Sequence, residues 1–224
     1  MVSSADLGTL RLLVTSVGLP QPLGRANGDT VLSAIAKQPV AAATLPLDHL
    51  NLTGDDQADR PVHGGPDKSV YSYPSEHWDW WRAETGLHIG VGSFGENLTT
   101  EGLDERAVAI GDRFGWGDAV IEVCQPRSPC FKLALHLGRP DVLKAMIRSA
   151  RCGWYFRTIT PGSVPTTGAL ERIAHDPQAP TVHDVFTTTY DRDLDRRRLT
   201  WILGQPALAE QWAAGLRRRA LDVG

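Results

Sequence analysis

The chain lacks the cysteine patterns and metal-binding motifs that identify several common protein classes. It has 3 cysteines among 224 residues, an odd and small number that provides no disulfide framework. It contains no CxxC pair and no HExxH sequence, and Cys124 and Cys130 do not have structural-zinc spacing. These absences exclude a disulfide-stapled fold and the common zinc motifs, and they favour a reducing, cytoplasmic location.

Long apolar runs and an excess of charge of one sign are also absent. No stretch approaches the roughly 18 apolar residues of a membrane-spanning helix, and the longest candidate, residues 40–47, is short and contains a proline. The first residues lack a basic leader, so we expect no signal peptide. Lysine and arginine number 23 against 26 acidic residues, a net charge of −3, which argues against nucleic acid and anionic membranes as partners.

What is present is the composition of an ordinary globular protein, with 42% apolar and 22% charged residues. Short apolar runs separated by glycine and proline predict mostly strands before residue 176. These predicted strands include residues 8–18, 106–112, 117–125, 154–162 and 168–173. Helical periodicity appears in 73–86, 131–138 and 140–153. The pattern favours a β-barrel or mixed barrel with inserted helices.

The character of the sequence changes around residues 174–181, AHDPQAPT, which form a proline-containing linker. Three amphipathic helical patterns follow, at about 181–190, 193–203 and 207–219. In the last of them Leu208, Trp212 and Leu216 recur at spacing four. We therefore predict a main domain over residues 1–176 and a C-terminal three-helix domain over residues 177–224.

The stretch QPRSPCFKL places Cys130 where a predicted strand ends and a predicted helix begins. A cysteine at a helix start faces unpaired backbone N–H groups, and Arg127 and Lys132 add positive charge nearby. Such surroundings favour a thiolate, which is a nucleophile or a soft metal ligand. An inert buried thiol is the alternative, and we predict that structural role for the other two cysteines.

A second stretch, VHGGPDKSVYSYP at residues 62–74, contains adjacent glycines, Gly64 and Gly65, followed by Lys68. Glycine lets backbone N–H groups approach a ligand closely, and lysine supplies a mobile positive charge, so the pattern suits an anionic group such as a phosphate. The spacing of a Walker loop is absent. A Gly-Gly turn with a solvated lysine is the alternative.

A third stretch, FGENLTTEG at residues 94–102, interrupts a predicted strand with a glycine and polar side chains. Asn97 offers both a donor and acceptors, and Thr99 and Thr100 offer hydroxyl groups. Polar groups at such a position could contact the edge of a heteroaromatic ligand. A β-turn with an asparagine cap is the alternative.

Taken in order along the chain, the segments GGPDK, GENLTT and QPRSPC resemble the motifs of the MOSC domain family. The resemblance is strongest to the YiiM-like branch of that family, which has an additional C-terminal three-helix domain, and it extends from about residue 10 to the end of the chain. It implies a β-barrel-like mixed fold for the main domain.

MOSC proteins bind the molybdenum cofactor, a pterin that carries a phosphate and a dithiolene holding molybdenum. The resemblance implies that Cys130 is the protein's sulfur ligand to molybdenum, at the catalytic centre. It also implies that Lys68 and Arg127 contact the phosphate or the pterin. The remaining residues implied to line the same pocket are Asn97, Thr99, His63, Gly64 and Gly65.

Relatives in this family reduce N-hydroxylated compounds such as hydroxylaminopurines and amidoximes, with electrons from a separate flavin or iron–sulfur reductase. The resemblance therefore implies a molybdenum-dependent oxidoreductase. Other MOSC domains carry sulfur or cofactor during cofactor maturation without turnover, and a carrier is the alternative function. The C-terminal helices would dock the electron donor or a second subunit of a homodimer, and their sequence does not distinguish the two.

Overall fold

The computed structural model describes residues 8–59 and 64–222 of the chain. The strands within these ranges are β1 (Thr9–Val17), β2 (Gln21–Ala26), β3 (Asp29–Ser33), β4 (Gln38–Pro39), β5 (Thr44–Leu47), β6 (Val70–Pro74), β7 (Leu98–Glu101), β8 (Arg113–Trp116), β9 (Ala119–Pro126), β10 (Trp154–Thr160), β11 (Gly162–Pro165) and β12 (Gly168–Ala174). The helices are α1 (His77–Thr85), α2 (Phe131–Leu137), α3 (Val142–Ser149), α4 (Val182–Tyr190), α5 (Arg196–Leu203) and α6 (Glu210–Asp222), and a short 3-10 helix covers Pro66–Lys68. Strands thus dominate the main part of the chain and helices its end, which confirms the predicted fold class.

Seven strands close into a barrel in the order β12–β8–β9–β10–β6–β7–β1, and β1 pairs again with β12. Neighbouring strands are antiparallel except β6 and β7, which run parallel. The closing register joins Thr9 to Glu171 and Leu12 to Gly168. Closure satisfies the backbone groups that an open sheet would leave at its edges.

Large aromatic side chains fill the core. Phe114, Trp116, Trp154 and Phe156 are fully buried. The rings of Phe114 and Phe156 meet edge to face, with their centroids 5.7 Å apart, a favourable arrangement for aromatic pairs. These residues lie on β8 and β10, so the aromatic cluster joins non-neighbouring strands through the barrel interior.

The C-terminal helices pack directly on the barrel. The backbone N–H of Ala209 donates to the carbonyl oxygen of Cys124 on β9, at 2.9 Å. Phe186 of α4 and Trp212 of α6 are buried in the same hydrophobic core as the barrel residues. Strand β9 is therefore covered on both faces, which is why its residues are buried almost throughout rather than alternately.

Pro74 is in a strand, whereas the sequence pattern placed it in the first turn of the following helix. It is the last residue of β6, opposite Thr100 of β7, and α1 begins only at His77. Pairing with two neighbouring strands fixes residues 70–74 as extended chain, and a proline is tolerated at the end of a strand.

The predicted strand at residues 106–112 is not part of the sheet. Ala109 instead forms an isolated bridge with Thr181, and the N–H of Ile110 donates to the carbonyl oxygen of Pro180 at 2.9 Å. Val108, Ala109 and Ile110 are buried, but the backbone partner of this segment is the linker that leads into α4.

The predicted strands at residues 154–162 and 168–173 are both present, but they do not pair with each other. β10 pairs with β6 and β9, and β12 pairs with β1 and β8. Strand β11 lies between them in the chain and pairs with β5 in a separate two-stranded sheet.

Within the described ranges, no helix is long and apolar enough to span a membrane.

Candidate functional site

A pocket of about 500 Å³ opens on one side of the barrel, and we call it the Cys130 pocket. Its wall comes from the turn after β9, the start of α2, strands β6 and β10, and the N-terminal end of α6. The charged residues in this wall are Lys37, Asp55, Asp56, Asp59, Lys68, Arg127 and Lys132. The volume is in the range that holds a small organic ligand.

Cys130 lies in the wall at the junction of β9 and α2. Its backbone is extended, with φ −136° and ψ 138°, and its carbonyl oxygen accepts from the N–H of Leu133 at 2.9 Å to form the first turn of α2. Leu133 is fully buried and fixes the helix against the core. Pro126 and Pro129 restrict the turn before it, so the half-buried thiol is held at the pocket surface.

The other two cysteines lie away from the pocket wall and are fully buried. The sulfur of Cys124 lies 3.2 Å from the carbonyl oxygen of Asp67. Burial raises the pKa of both Cys124 and Cys152, so these thiols stay protonated. Cys130 is therefore the cysteine that the structure presents to a ligand.

Arg127 brings positive charge to the inner part of the pocket. Its guanidinium lies over the ring of Tyr71, 5.6 Å from the centroid, and Nη1 is 3.9 Å from the sulfur of Met146. Burial raises the pKa of Tyr71 and Tyr155, although the charge of Arg127 opposes that effect. Both phenols therefore stay neutral, and the hydroxyl of Tyr71 donates to the carbonyl oxygen of Cys152 at 2.8 Å.

Lys68 reaches the pocket from the short 3-10 helix. Its Nζ donates to Oε1 of Gln211 at the start of α6, and burial lowers the pKa of the ammonium group. Gly65 precedes the helix with φ 96°, a conformation that favours glycine, and its carbonyl oxygen accepts from the N–H of Lys68 at 3.0 Å. Gly64 and Gly65 are not in the pocket wall, and His63 lies outside the described residues.

Asn97 lies in the pocket wall but has structural partners. Its Oδ1 accepts from the backbone N–H of Tyr71 at 3.0 Å, and its Nδ2 donates to Asp55 Oδ2 at 2.9 Å and to the carbonyl oxygen of Ser16 at 3.2 Å. Thr99 is fully buried outside the wall, where its hydroxyl donates to Glu96 at 3.1 Å. The FGENLTT segment thus ties β1, β6 and β7 together beside the pocket.

A buried ion pair in the wall was not predicted from the sequence. Lys37 Nζ contacts Asp55 Oδ1, and the same oxygen accepts from the backbone N–H of Gly18 at 2.8 Å. Burial lowers the pKa of Lys37 even though the charge of Asp55 favours the ammonium form. These two residues lie in loops with no motif, so no local signal in the sequence could have identified them.

Aromatic and amide side chains complete the wall. The rings of Tyr71 and Tyr155 lie with their centroids 5.0 Å apart, and Trp212 lines the pocket from α6. Gln125 donates through Nε2 to the carbonyl oxygen of Asp67 at 2.6 Å, while its buried Oε1 has no hydrogen-bond partner among the residues described. A flat, polar ligand is chemically suited to these surfaces.

The Cys130 pocket offers a ligand one thiol rather than a cluster of metal-binding side chains. Across residues 8–59 and 64–222, no group of three or more histidine, cysteine, aspartate or glutamate side chains is arranged to hold a metal ion. The four cations in the wall, Lys37, Lys68, Arg127 and Lys132, outnumber its three aspartates. The wall can therefore hold an anionic molecule and supply a single sulfur to it.

Known proteins resemble this chain over most of its length. YiiM from Escherichia coli is 37% identical over 194 residues, 85% of each chain, and YflK from Bacillus subtilis is 35% identical over 208 residues, 93% of each chain. A protein from Gibberella moniliformis named "Reductase" is 37% identical over 158 residues, which are 66% of this chain and 27% of that one.

Solved structures that resemble this chain include YiiM from two bacteria. The crystal structure of YiiM from Geobacillus stearothermophilus matches with a TM-score of 0.78 and 29% identity, covering 94% of this chain and 98% of that one. The Escherichia coli YiiM structure matches with a TM-score of 0.74 and 29% identity, covering 96% and 94%. The sequence model that describes the MOSC domain family matches residues 59–170 of this chain, which include the turn with Cys130. This protein therefore belongs to the MOSC domain family and is a homologue of YiiM.

Proposed function

We propose that the protein binds a molybdenum cofactor in the Cys130 pocket and reduces N-hydroxylated compounds, such as hydroxylaminopurines and amidoximes. The observation that supports the proposal most directly is the combination of one half-buried thiol with four cationic side chains around a single pocket of about 500 Å³. A reductase-named relative supports reductive chemistry.

The chemistry of the donor set fits this cofactor. Metals that bind sulfur are held in proteins by soft ligands such as thiolate, and Cys130 would supply that ligand. Lysine and arginine are the usual partners of a phosphate, and Lys68 and Arg127 enter the pocket from different elements. Tyr155 and Trp212 line the pocket with aromatic side chains that suit a flat pterin ring.

In this proposal the chain's own residues bind, orient and exclude water. Cys130 would be the sulfur ligand to molybdenum, and Lys68 and Arg127 would hold the phosphate and pterin. The bound cofactor would supply two-electron redox chemistry that amino-acid side chains lack. Tyr71 and Tyr155 stay protonated because burial raises their pKa, so they add no negative charge to the wall that would receive an anionic cofactor.

The reaction is balanced by two electrons and two protons. An N–OH group takes them up and becomes N–H plus one molecule of water. The electrons would come from a separate flavin or iron–sulfur protein. The protons must reach the reacting atoms inside the pocket. Wall residues that carry exchangeable protons are therefore candidates to transfer them.

The test is to purify the protein from a host that makes the molybdenum cofactor, measure molybdenum per chain, and assay reduction of 6-hydroxylaminopurine with reduced methyl viologen. We expect stoichiometric molybdenum and turnover. Cys130→Ala should lose both, while the matched variant Cys124→Ala, in a fully buried thiol outside the wall, should keep both.

Three other results would each change the proposed function. Molybdenum bound without turnover of any N-hydroxylated compound would indicate a carrier of cofactor or sulfur instead of a reductase. A Cys130→Ala protein with full molybdenum content would remove the ligand assignment. A wild-type protein without molybdenum from a competent host would overturn the proposal as a whole.

A further inference from the structure

Lys37 is one of the four cations in the wall of the Cys130 pocket, but its ammonium group is paired with Asp55, and no contact with the cofactor is assigned to it above. The side chain of Lys37 is 8% exposed and that of Asp55 is 1% exposed. Burial of two charges is costly unless both are well paired, and removal of one would leave the other uncompensated. A lysine kept at such a cost beside a reaction pocket is a candidate for a chemical role.

The position of the ammonium group is fixed by a network that reaches two parts of the barrel. Asp55 accepts from the N–H of Gly18 just after β1 and from the amide of Asn97 just before β7. Lys37 itself packs closely on Gly18, where a Cβ atom would lie 3.3 Å from Lys37 Cγ. The network therefore holds Lys37 in one place in the pocket wall.

Reduction of an N–OH group needs an acid, because hydroxide is a poor leaving group. Proton transfer to the departing oxygen lowers the barrier, and a positioned side chain contributes typically 10²–10⁴-fold to such a step. We propose that Lys37 is the proton donor of the reduction, giving its proton to the departing hydroxyl oxygen while Asp55 holds the ammonium group in the wall. This inference rests on the proposed function and adds a catalytic residue to it.

The N–O bond breaks as the substrate takes up the two electrons from the reductase, and the oxygen accepts a proton from Lys37 Nζ and leaves as water. The nitrogen takes the second proton. Lys37 is left as a neutral amine and regains its proton from solvent before the next turnover.

The charges that face Lys37 bear on how readily it releases a proton. Burial lowers its pKa, whereas the carboxylates of Asp55 and Glu96 oppose that change, and the net direction is downward. Asp56, whose N–H donates to the carbonyl oxygen of Gly18, is a further acid beside the network. A lysine with a lowered pKa is a better acid near neutral pH than one at the surface.

The decisive variant is Lys37→Arg. Arginine keeps the positive charge and can keep the ion pair with Asp55, but it does not release its proton near neutral pH. If Lys37 only filled space or neutralised Asp55, its replacement by arginine would change turnover little. If Lys37 is the proton donor, the replacement removes the proton that the reaction needs. We therefore expect Lys37→Arg to keep its molybdenum content and melting temperature while turnover falls about 100-fold or more.

The pH profile provides a second test that does not depend on the arginine variant folding. Turnover of the wild type should fall as pH rises through the pKa of Lys37, because only the ammonium form can donate. Asp55→Asn removes a negative charge that favours that form, so it should move this decline to lower pH. The chain has only four lysines, so the Lys37 signal can be followed by NMR of ¹³C-labelled lysine and assigned as the one that remains in each of the variants Lys68→Arg, Lys132→Arg and Lys144→Arg.

The outcomes separate this inference from the function on which it rests. Failure of the wild type to reduce any N-hydroxylated compound overturns both. Turnover by the wild type with a Lys37→Arg rate within about threefold of it, or an Asp55→Asn profile that does not move, overturns the proton-donor role alone. An NMR titration of Lys37 at or above the ordinary value of about 10.4 also contradicts it.

Discussion

Asn97 shows how one side chain can define the wall of a site by holding other segments in place. Its amide bridges the backbone of β6, the backbone of β1 and the carboxylate of Asp55. The sequence identified Asn97 through its polar groups, and the structure shows where these groups are used. Whether or not Asn97 also contacts a ligand, it has a structural role that can be measured.

We expect Asn97→Ala to lower the free energy of unfolding by about 2–4 kcal/mol, because the N–H of Tyr71 and the carbonyl oxygen of Ser16 would lose a buried partner. Urea denaturation measures this loss. Asn51→Ala is the matched control, since Asn51 is only half-buried and its side chain pairs with Gln57 near the surface. Similar losses in the two variants would contradict the assigned role.

The lysine of the GGPDK turn illustrates a contact that its own segment could not reveal. Lys68 donates to Gln211, which is 143 positions away in the sequence. The turn residues predicted a flexible cation near a pocket, and the C-terminal helix decides its partner. A role for Lys68 in holding a phosphate stays a prediction that the molybdenum analysis of a Lys68 variant can address.

Among the secondary-structure elements, the start of β10 shows how closely two barrel strands, β6 and β10, approach each other. Gly153 precedes β10 with φ 66°, and its N–H donates to Glu105 Oε1 at 2.6 Å. A Cβ atom there would lie 2.3 Å from the carbonyl oxygen of Ser72 on β6. Glycine is therefore required both by the backbone conformation and by the adjacent strand.

Gly153→Ala should lower the free energy of unfolding by more than about 3 kcal/mol, because a backbone carbonyl cannot move aside without disturbing the β6–β10 pairing. Gly86→Ala separates the two causes. Gly86 has a similar φ of 67° but nothing within 4 Å of its Cβ position, so we expect a cost of about 1 kcal/mol there. Equal costs would mean that conformational strain alone acts at both sites.

At the scale of the whole molecule, the barrel and the C-terminal helices share one hydrophobic core. Val182, Phe186 and Trp212 belong to the same cluster as Phe114 and other barrel residues. Trp212 also lines the Cys130 pocket, so the tail contributes to the site as well as to the fold. Both parts should therefore unfold together, although the sequence changes character between them.

Calorimetry should show a single thermal transition, with equal calorimetric and van't Hoff enthalpies. Trp212→Ala removes a large buried ring from the shared core and should destabilise the molecule by about 3–5 kcal/mol without splitting that transition. Two separate transitions, with only one of them shifted by Trp212→Ala, would show that the tail folds as an independent unit.

The sequence by itself determined the local features of this protein. Alternating apolar residues predicted β9, the proline-rich turn predicted the break at Pro126–Pro129, and helical spacing predicted α2 and the three C-terminal helices. Cys130 could be placed between a strand and a helix for the same reason. These features depend on residues that are near one another in the chain, so a periodic pattern is sufficient to reveal them.

The tertiary structure alone decided the contacts between distant segments. The closure of β1 on β12, the bridge of Ala109 to Thr181, and the ion pair of Lys37 with Asp55 join residues that no local pattern relates. Such contacts form because burial of the shared core brings the segments together, and the sequence does not encode their pairing in any short window. The position of the thiol with Arg127 and Lys132 near it in the chain was therefore predictable, whereas the buried ion pair of Lys37 with Asp55 was not.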